Sequence, residues 1–187
     1  MVRRVLVGVV VAVCAVLIAA VPDASAHHRQ VCGLYGDYPP PTVGVADCDP
    51  AAFYEVSWGT LRNVAGIWVH HSLADDLASL LAAAASDGHA DIGGEGFRTY
   101  ADQVKLRRAH CGDTPYGVYL RPSVECTPPT ARPGCSMHQR GLAVDFTVNG
   151  ELLNAEHAFH GWLTDNAADY GLHNYPLETW HWSTNGK

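Results

Sequence analysis

The strongest periodic signal runs from Leu73 to Leu81. Leu73, Leu77, Leu80 and Leu81 recur at steps of three and four residues, which predicts a helix with one apolar stripe. Ser72 stands where an N-cap belongs, Asp75 falls in the first turn, and Asp87-Gly88 stops the helix. A short extended segment near Ala90 to Ile92 leads into Gly93-Gly94-Glu95-Gly96. A second helix is predicted from Thr99 towards His110, followed by proline-rich loops over most of 113–135. At Leu142 the period changes to two. Leu, Val and Phe alternate with Ala, Asp and Thr as far as Val148, which predicts a strand. Asn149-Gly150 is a tight-turn signal, and Leu152-Leu153 continues a hairpin. Asn154 caps a predicted helix through Tyr170, with Gly171 at its end, and a last strand holds Trp180-His181-Trp182. Helices around short hairpin-linked strands predict an α+β fold, a small antiparallel sheet with flanking helices, rather than a doubly wound sheet.

The first 26 residues stand apart. Arg3 and Arg4 precede an apolar run from Val5 to Val21, and Ala24-Ser25-Ala26 fits a small-x-small cleavage site, so 1–26 reads as a secretory signal peptide. Seventeen apolar residues are marginal for a membrane span, and no other stretch is long and apolar enough, so no stable membrane insertion is expected after cleavage. Residues 27–57 show no period. Three consecutive prolines, several glycines, Cys32 and Cys48 predict an irregular, disulfide-tied arm. Residues 58–187 are then expected to form the main folded domain, and the mature chain is expected to be secreted and monomeric.

Loss of Arg3, Arg4 and Asp23 leaves 10 basic against 18 acidic residues, a charge of −8. That balance argues against a nucleic-acid partner, since phosphate binding needs a basic surface. An exported chain meets an oxidising compartment, so its cysteines are expected to pair. Five remain after cleavage. Cys32–Cys48 and Cys111–Cys126 are the favoured pairs because each closes a short local loop; the second is worth about 3 kcal/mol in the chain-entropy model. Cys135 is then left as a free thiol, although it can displace Cys111 or Cys126 as a partner.

The candidate chemistry lies in Ser136-Met137-His138-Gln139-Arg140-Gly141-Leu142-Ala143-Val144-Asp145 and in Glu178-Thr179-Trp180-His181. His138, Asp145 and His181 are two imidazoles and a carboxylate able to close on one ion. Three protein ligands leave a fourth zinc position open, as in catalytic rather than structural sites. Glu178, three residues from His181, is a candidate base. One tension stands out: strict strand alternation turns Glu178 away from the His181 face, so the chain near Thr179 must twist or bulge. His27 and His28 open the mature chain and are expected to be disordered, while His70, His71, His89, His110, His157, His160 and His173 lack a ligand pattern and are expected at the surface or the core edge.

Ser-x-His-x-x-Gly-x-Ala-x-Asp followed by Glu-x-Trp-His-Trp resembles the VanY-type D-alanyl-D-alanine carboxypeptidase family, related in fold to sonic hedgehog and lysostaphin-type zinc domains. Gly96-Phe97-Arg98-Thr99 with Gln103 resembles the family's Gly-Tyr-Arg-Ser…Gln segment. The likeness covers about residues 60–183. It implies one Zn2+, on the sheet, held by His138, Asp145 and His181, with Glu178 as the base that deprotonates water. It implies that Arg98 holds or neutralises substrate oxygens, that Ser136 lies near the substrate backbone, and that Gln103 binds substrate or braces Arg98. Phe97 stands where the family more often has Tyr, and Glu-Thr-Trp where Glu-Pro-Trp is commoner. The implied substrate is a peptidoglycan stem peptide, cut as a D-Ala-D-Ala carboxypeptidase. The alternatives are an endopeptidase acting at an L-Ala–D-Glu bond, or a zinc-bearing module that binds wall peptides without turnover.

Overall fold

The computed structural model describes residues 56–187; the expected signal peptide and nearly all of the arm, with Cys32 and Cys48, lie outside the described residues. The first element is a hairpin of β1 (Leu61–Val64) and β2 (Ile67–His70), turning on Ala65 and Gly66, both at positive φ. The sequence reading did not anticipate it. Its signal was the Ala-Gly turn beside the alternating pair Ile67 and Val69, both buried while Trp68 faces out.

The helix α1 (His71–Ser86) follows directly, and its cap corrects the expectation. His70, not Ser72, is the N-cap: its Nδ1 accepts from the Ser72 amide at 3.3 Å. Leu73, Leu77, Leu80 and Ala84 form the buried stripe. Burying each leucine contributes roughly 1.5–3 kcal/mol, and together they fix α1 on the sheet.

That sheet is antiparallel, in the order β3 (Ile92–Glu95), β4 (Ala143–Val148), β7 (Glu178–Ser183), β6 (His173–Tyr175), with β5 (Glu151–Leu152) on the end of β4. The hairpin at Asn149-Gly150 forms as predicted, with φ of 53° and 84°. Along β4, Val144, Phe146 and Val148 join the core with α1, while the alternate Asp145 and Thr147 face a cleft. Period two thus assigns one face to stability and the other to chemistry. The fold is α+β, as expected. The third helix departs in detail. Asn154 bonds the Glu156 amide at 3.1 Å, but α3 (Ala158–Asn166) begins four residues later on His157, and a 3-10 turn carries the chain to Gly171.

The helix α2 (Tyr100–Cys111) starts at Thr99, whose Oγ1 accepts from the Asp102 amide at 3.1 Å. It carries Arg107, which is fully buried. The Arg107 guanidinium donates to the carbonyls of Val118 (2.9 Å), Thr130 (2.6 Å), Gly117 (2.6 Å) and Arg121 (2.8 Å). It also contacts Cys126 Sγ at 3.1 Å. One side chain therefore organises the proline-rich segment, helped by the Cys111–Cys126 disulfide, which forms as expected. Cys135 corrects the other expectation: it is disulfide-bonded rather than a free thiol. Cys111 and Cys126 pair with each other, so its partner lies outside the described residues.

Candidate metal centre

Strand pairing brings two of the three expected ligands together. Asp145 on β4 and His181 on β7 are direct cross-strand partners, so their side chains share one face. The third, His138, opens a 3-10 turn (His138–Arg140) closed by Gly141 at φ 66°. A side chain at Gly141 would press on the backbone of His70 in the first hairpin, so glycine is required there for space as well as for φ.

The donor atoms converge. His138 Nε2 lies 3.1 Å from Asp145 Oδ1, His181 Nδ1 lies 2.8 Å from the same oxygen, and the two nitrogens are 3.1 Å apart. Tetrahedral donors at zinc bond lengths of roughly 2.0–2.1 Å sit about 3.3–3.4 Å from one another, so the triangle needs to open by only a few tenths of an ångström. The outer nitrogens fix the tautomers. His138 Nδ1 faces the Gly96 carbonyl at 2.6 Å, and His181 Nε2 faces the Lys187 main-chain oxygen at 3.1 Å. A carbonyl only accepts, so each outer nitrogen carries the proton and each inner one can present a lone pair. Two lone pairs and a carboxylate oxygen aimed at one point fit a divalent cation. Among the described residues this is the one His/Cys/Asp/Glu cluster with that geometry.

Without a cation the three groups couple to one another, and a proton shared with Asp145 occupies the place a cation would take. Burial pushes the Asp145 pKa up, but His138 and His181 outweigh it and hold the carboxyl well below its ordinary value. Burial lowers the His181 pKa, yet its hydrogen bond to Asp145 and that group's charge make the net shift upward.

Arg98 completes the frame. Its Nη2 donates to Asp145 Oδ2 at 3.1 Å, leaving Oδ1 to the cation position. Its Nε pairs with Glu95 at 2.7 Å and its Nη1 with Gln103 Oε1 at 3.1 Å. Gln103 is buried and its Nε2 donates to the Ala131 carbonyl at 2.7 Å, so both ends of its amide are engaged. Ser136 Oγ accepts from the His138 amide at 3.3 Å and lines the cleft.

Glu178 lies in the same cleft as the three donors, which has a volume of about 970 Å³. The tension over its direction resolves as a bulge. On β6 the partners step from Asn174 to Tyr175, while on β7 they step from Trp182 to Glu178. Extra residues on one strand break the alternation, and Glu178 reaches the His181 side. Burial raises its pKa to about 7, with Asp145 adding to the rise and His181 and Arg98 opposing it.

Sequence reasoning missed several members of the site. The Gly96 carbonyl that orients His138 carries no side-chain signal, and a Cβ there would meet the Trp68 carbonyl. Tyr175 packs edge-on against His181, with ring centroids 6.1 Å apart. Its spacing before Glu178 was the available clue. Three of the other histidines have structural partners: His157 caps α3, His110 bonds Thr130 at 2.8 Å, and His89 packs on Phe159 and Trp162, while His27 and His28 lie outside the described residues.

Fold and site together define a class: an α+β protein in which three candidate cation donors converge in a cleft that also holds an acid and an arginine. Within it, the chain belongs to the VanY family, described as D-alanyl-D-alanine carboxypeptidase, whose sequence profile matches residues 66–187. A solved structure of VanYB in complex with D-alanine-D-alanine is similar, with 24% identity and a TM-score of 0.52 over 71% of this chain and 78% of that one. A mutant of the vancomycin-resistance D,D-pentapeptidase VanY in complex with Zn(II) matches at 23% identity and a TM-score of 0.50, over 66% and 76% of the two chains. At these identities the two structures establish the shared fold. No curated protein matches the chain.

Proposed function

We propose that this chain is an exported zinc-dependent peptidase acting on peptidoglycan stem peptides, with D-Ala-D-Ala carboxypeptidase activity. The observation that carries the reading is the convergence of His138 Nε2, Asp145 Oδ1 and His181 Nδ1 within a cleft that Glu178 also lines. Family membership, together with the D-alanine-D-alanine and Zn(II) bound in the two similar structures, supports it. The three residues would hold Zn2+, which as a Lewis acid lowers the pKa of water and polarises a carbonyl.

The chain's own residues do the rest. Glu178 accepts the proton of the attacking water and returns it to the leaving amine. Arg98 fixes the Asp145 rotamer and brings positive charge to the cleft, where it stabilises negative charge on a substrate oxygen. Gln103 acts through Arg98 as a positioning residue. Ser136 braces the His138 turn and offers its hydroxyl to the substrate backbone. Residues 1–26 direct export, which places the enzyme with its wall substrate.

A second reading, endopeptidase action at an L-Ala–D-Glu bond, is favoured by the size of the cleft, which exceeds the needs of a terminal dipeptide. The deciding experiment incubates the zinc-loaded chain with a D-Ala-D-Ala-ending pentapeptide, with and without chelator, and weighs the products. Chelator-sensitive loss of one D-Ala supports the first reading, and an internal cut supports the second. No cleavage with zinc bound refutes both and leaves a wall-peptide binder.

A further inference from the structure

Four cationic residues line the cleft: Arg98, Arg132, Arg140 and Lys187. The head groups of two are already engaged. Arg98 spends its guanidinium on Glu95, Gln103 and Asp145. Arg132 is buried and donates to the Leu120 carbonyl at 3.4 Å. The Lys187 main chain is tied to Ser183 and His181, but its ammonium, a point charge without a fork, has no partner among the described residues. Among the cleft arginines, Arg140 differs. No hydrogen bond or ion pair engages its guanidinium among the described residues, yet its backbone is firmly held. Its amide donates to Met137 at 3.1 Å, and the next residue's carbonyl accepts from His70 at 2.9 Å.

We infer that Arg140 is the carboxylate anchor of the cleft, taking the free α-carboxylate of the residue that supplies the leaving amine. The inference rests on the peptidase reading above and deepens it. Arg140 shares a single 3-10 turn with the ligand His138, and both side chains line the cleft. A carboxylate on the residue after the scissile bond lies one residue's span away, at most about 3.3–3.6 Å along the chain. An arginine fixed two positions from a ligand serves that neighbour, not the far end of a stem. A guanidinium fork pairs bidentately with a carboxylate, and a rigid backbone with an unengaged head group is prepared for such a partner. Two substrates present this group: a C-terminal residue, and an internal glutamate linked through its side chain, which keeps its α-carboxylate free.

The test uses the full chain with Zn2+ and the Glu178→Gln substitution, so that ligands are bound and not turned over. Calorimetry measures D-alanyl-D-alanine and L-alanyl-D-glutamate, each paired with its α-carboxamide. One pair should favour the carboxylate by about 10- to 100-fold, the range of a charge-assisted hydrogen-bonded pair. Adding Arg140→Met should collapse that preference to about threefold or less, and Arg140→Lys, which keeps the charge without the fork, should fall between. The pair that responds identifies the carboxylate source. Unchanged melting temperature and zinc content in the Arg140 variants exclude a folding effect. A carboxylate preference that survives Arg140→Met, or no preference in either pair, overturns the anchor. Absence of turnover by the unsubstituted enzyme, with an Arg140-dependent preference intact, instead refutes the peptidase reading and leaves the anchor standing.

Discussion

Replacing Arg107 with methionine tests how the cleft wall is held. The substitution keeps much of the volume and removes every donor. Four carbonyls at 2.6–2.9 Å lose their partner: those of Val118, Thr130, Gly117 and Arg121. Hydrogen bonds to a charged donor are worth about 1.5–3 kcal/mol each, or roughly 6–12 kcal/mol gross. Returning the guanidinium to water recovers several kcal/mol, so the net loss should be about 3–5 kcal/mol. Burial lowers the Arg107 pKa to about 10, with Arg121 adding to the fall, so the group is still charged at neutral pH. For a domain of this size, about 4 °C per kcal/mol converts the loss to a drop of roughly 12–20 °C in Tm, read by circular dichroism. The Thr130–Arg132 stretch lines the cleft, so substrate affinity should weaken at temperatures where the fold persists. A Tm within about 5 °C of the parent would refute the claim that this guanidinium holds the loop.

Other outcomes are expected. Glu178→Gln should retain stoichiometric zinc by atomic absorption while kcat falls by about 10²–10⁴, the usual range for a lost acid–base group; near-normal kcat removes Glu178 from its role. His181→Ala or His138→Ala should bring zinc content close to zero after dialysis, and retention of a full equivalent would contradict the ligand assignment. Gly96→Ala forces the chain off the Trp68 carbonyl and withdraws the acceptor of His138; zinc affinity, measured by chelator competition, should weaken by about 10- to 100-fold, as for lost outer partners of a ligand. In metal-free protein Glu178 holds its proton to about pH 7, while the unfolded chain releases it near 4.5. The folded state then binds more protons between those values, so its stability is full below pH 4.5 and declines as pH rises through 7. Urea midpoints of chelated protein at pH 5 and pH 8 should show this decline, and Glu178→Gln should reduce it to the part that the raised His181 pKa contributes.

Much of this architecture was legible in the chain because the signals were local. The leucine stripe of α1, the alternation along β4 and the Asn149-Gly150 turn each need only a few neighbouring residues. The candidate donors His138, Asp145 and His181, with the candidate base Glu178, were legible for another reason: they are rare types for such sheltered positions, and their order resembles a known family. What escaped depends on distant backbone. The Gly96 carbonyl under His138 and the Lys187 oxygen under His181 have no side-chain signature. Arg107 looks like any helical arginine until the loop closes on it. The His70 cap of α1 was missed because histidine competes poorly with serine on propensity, and the preceding hairpin overrides that preference. The state of Cys135 depends on a connectivity that spacing alone does not determine.

The direct opposition of Asp145 and His181 across β4 and β7 has a consequence for folding. A slip of one residue between these strands would set Asp145 against an indole and scatter the donors, so cation capture at the proposed site would report alignment of the sheet. With the proposed zinc about a thousandfold above its dissociation constant, the aligned sheet would gain roughly 4.1 kcal/mol over the unloaded state, and a misaligned one would gain nothing. Maturation in zinc-poor surroundings should therefore yield a larger misthreaded fraction, a defect of assembly distinct from any loss of catalysis.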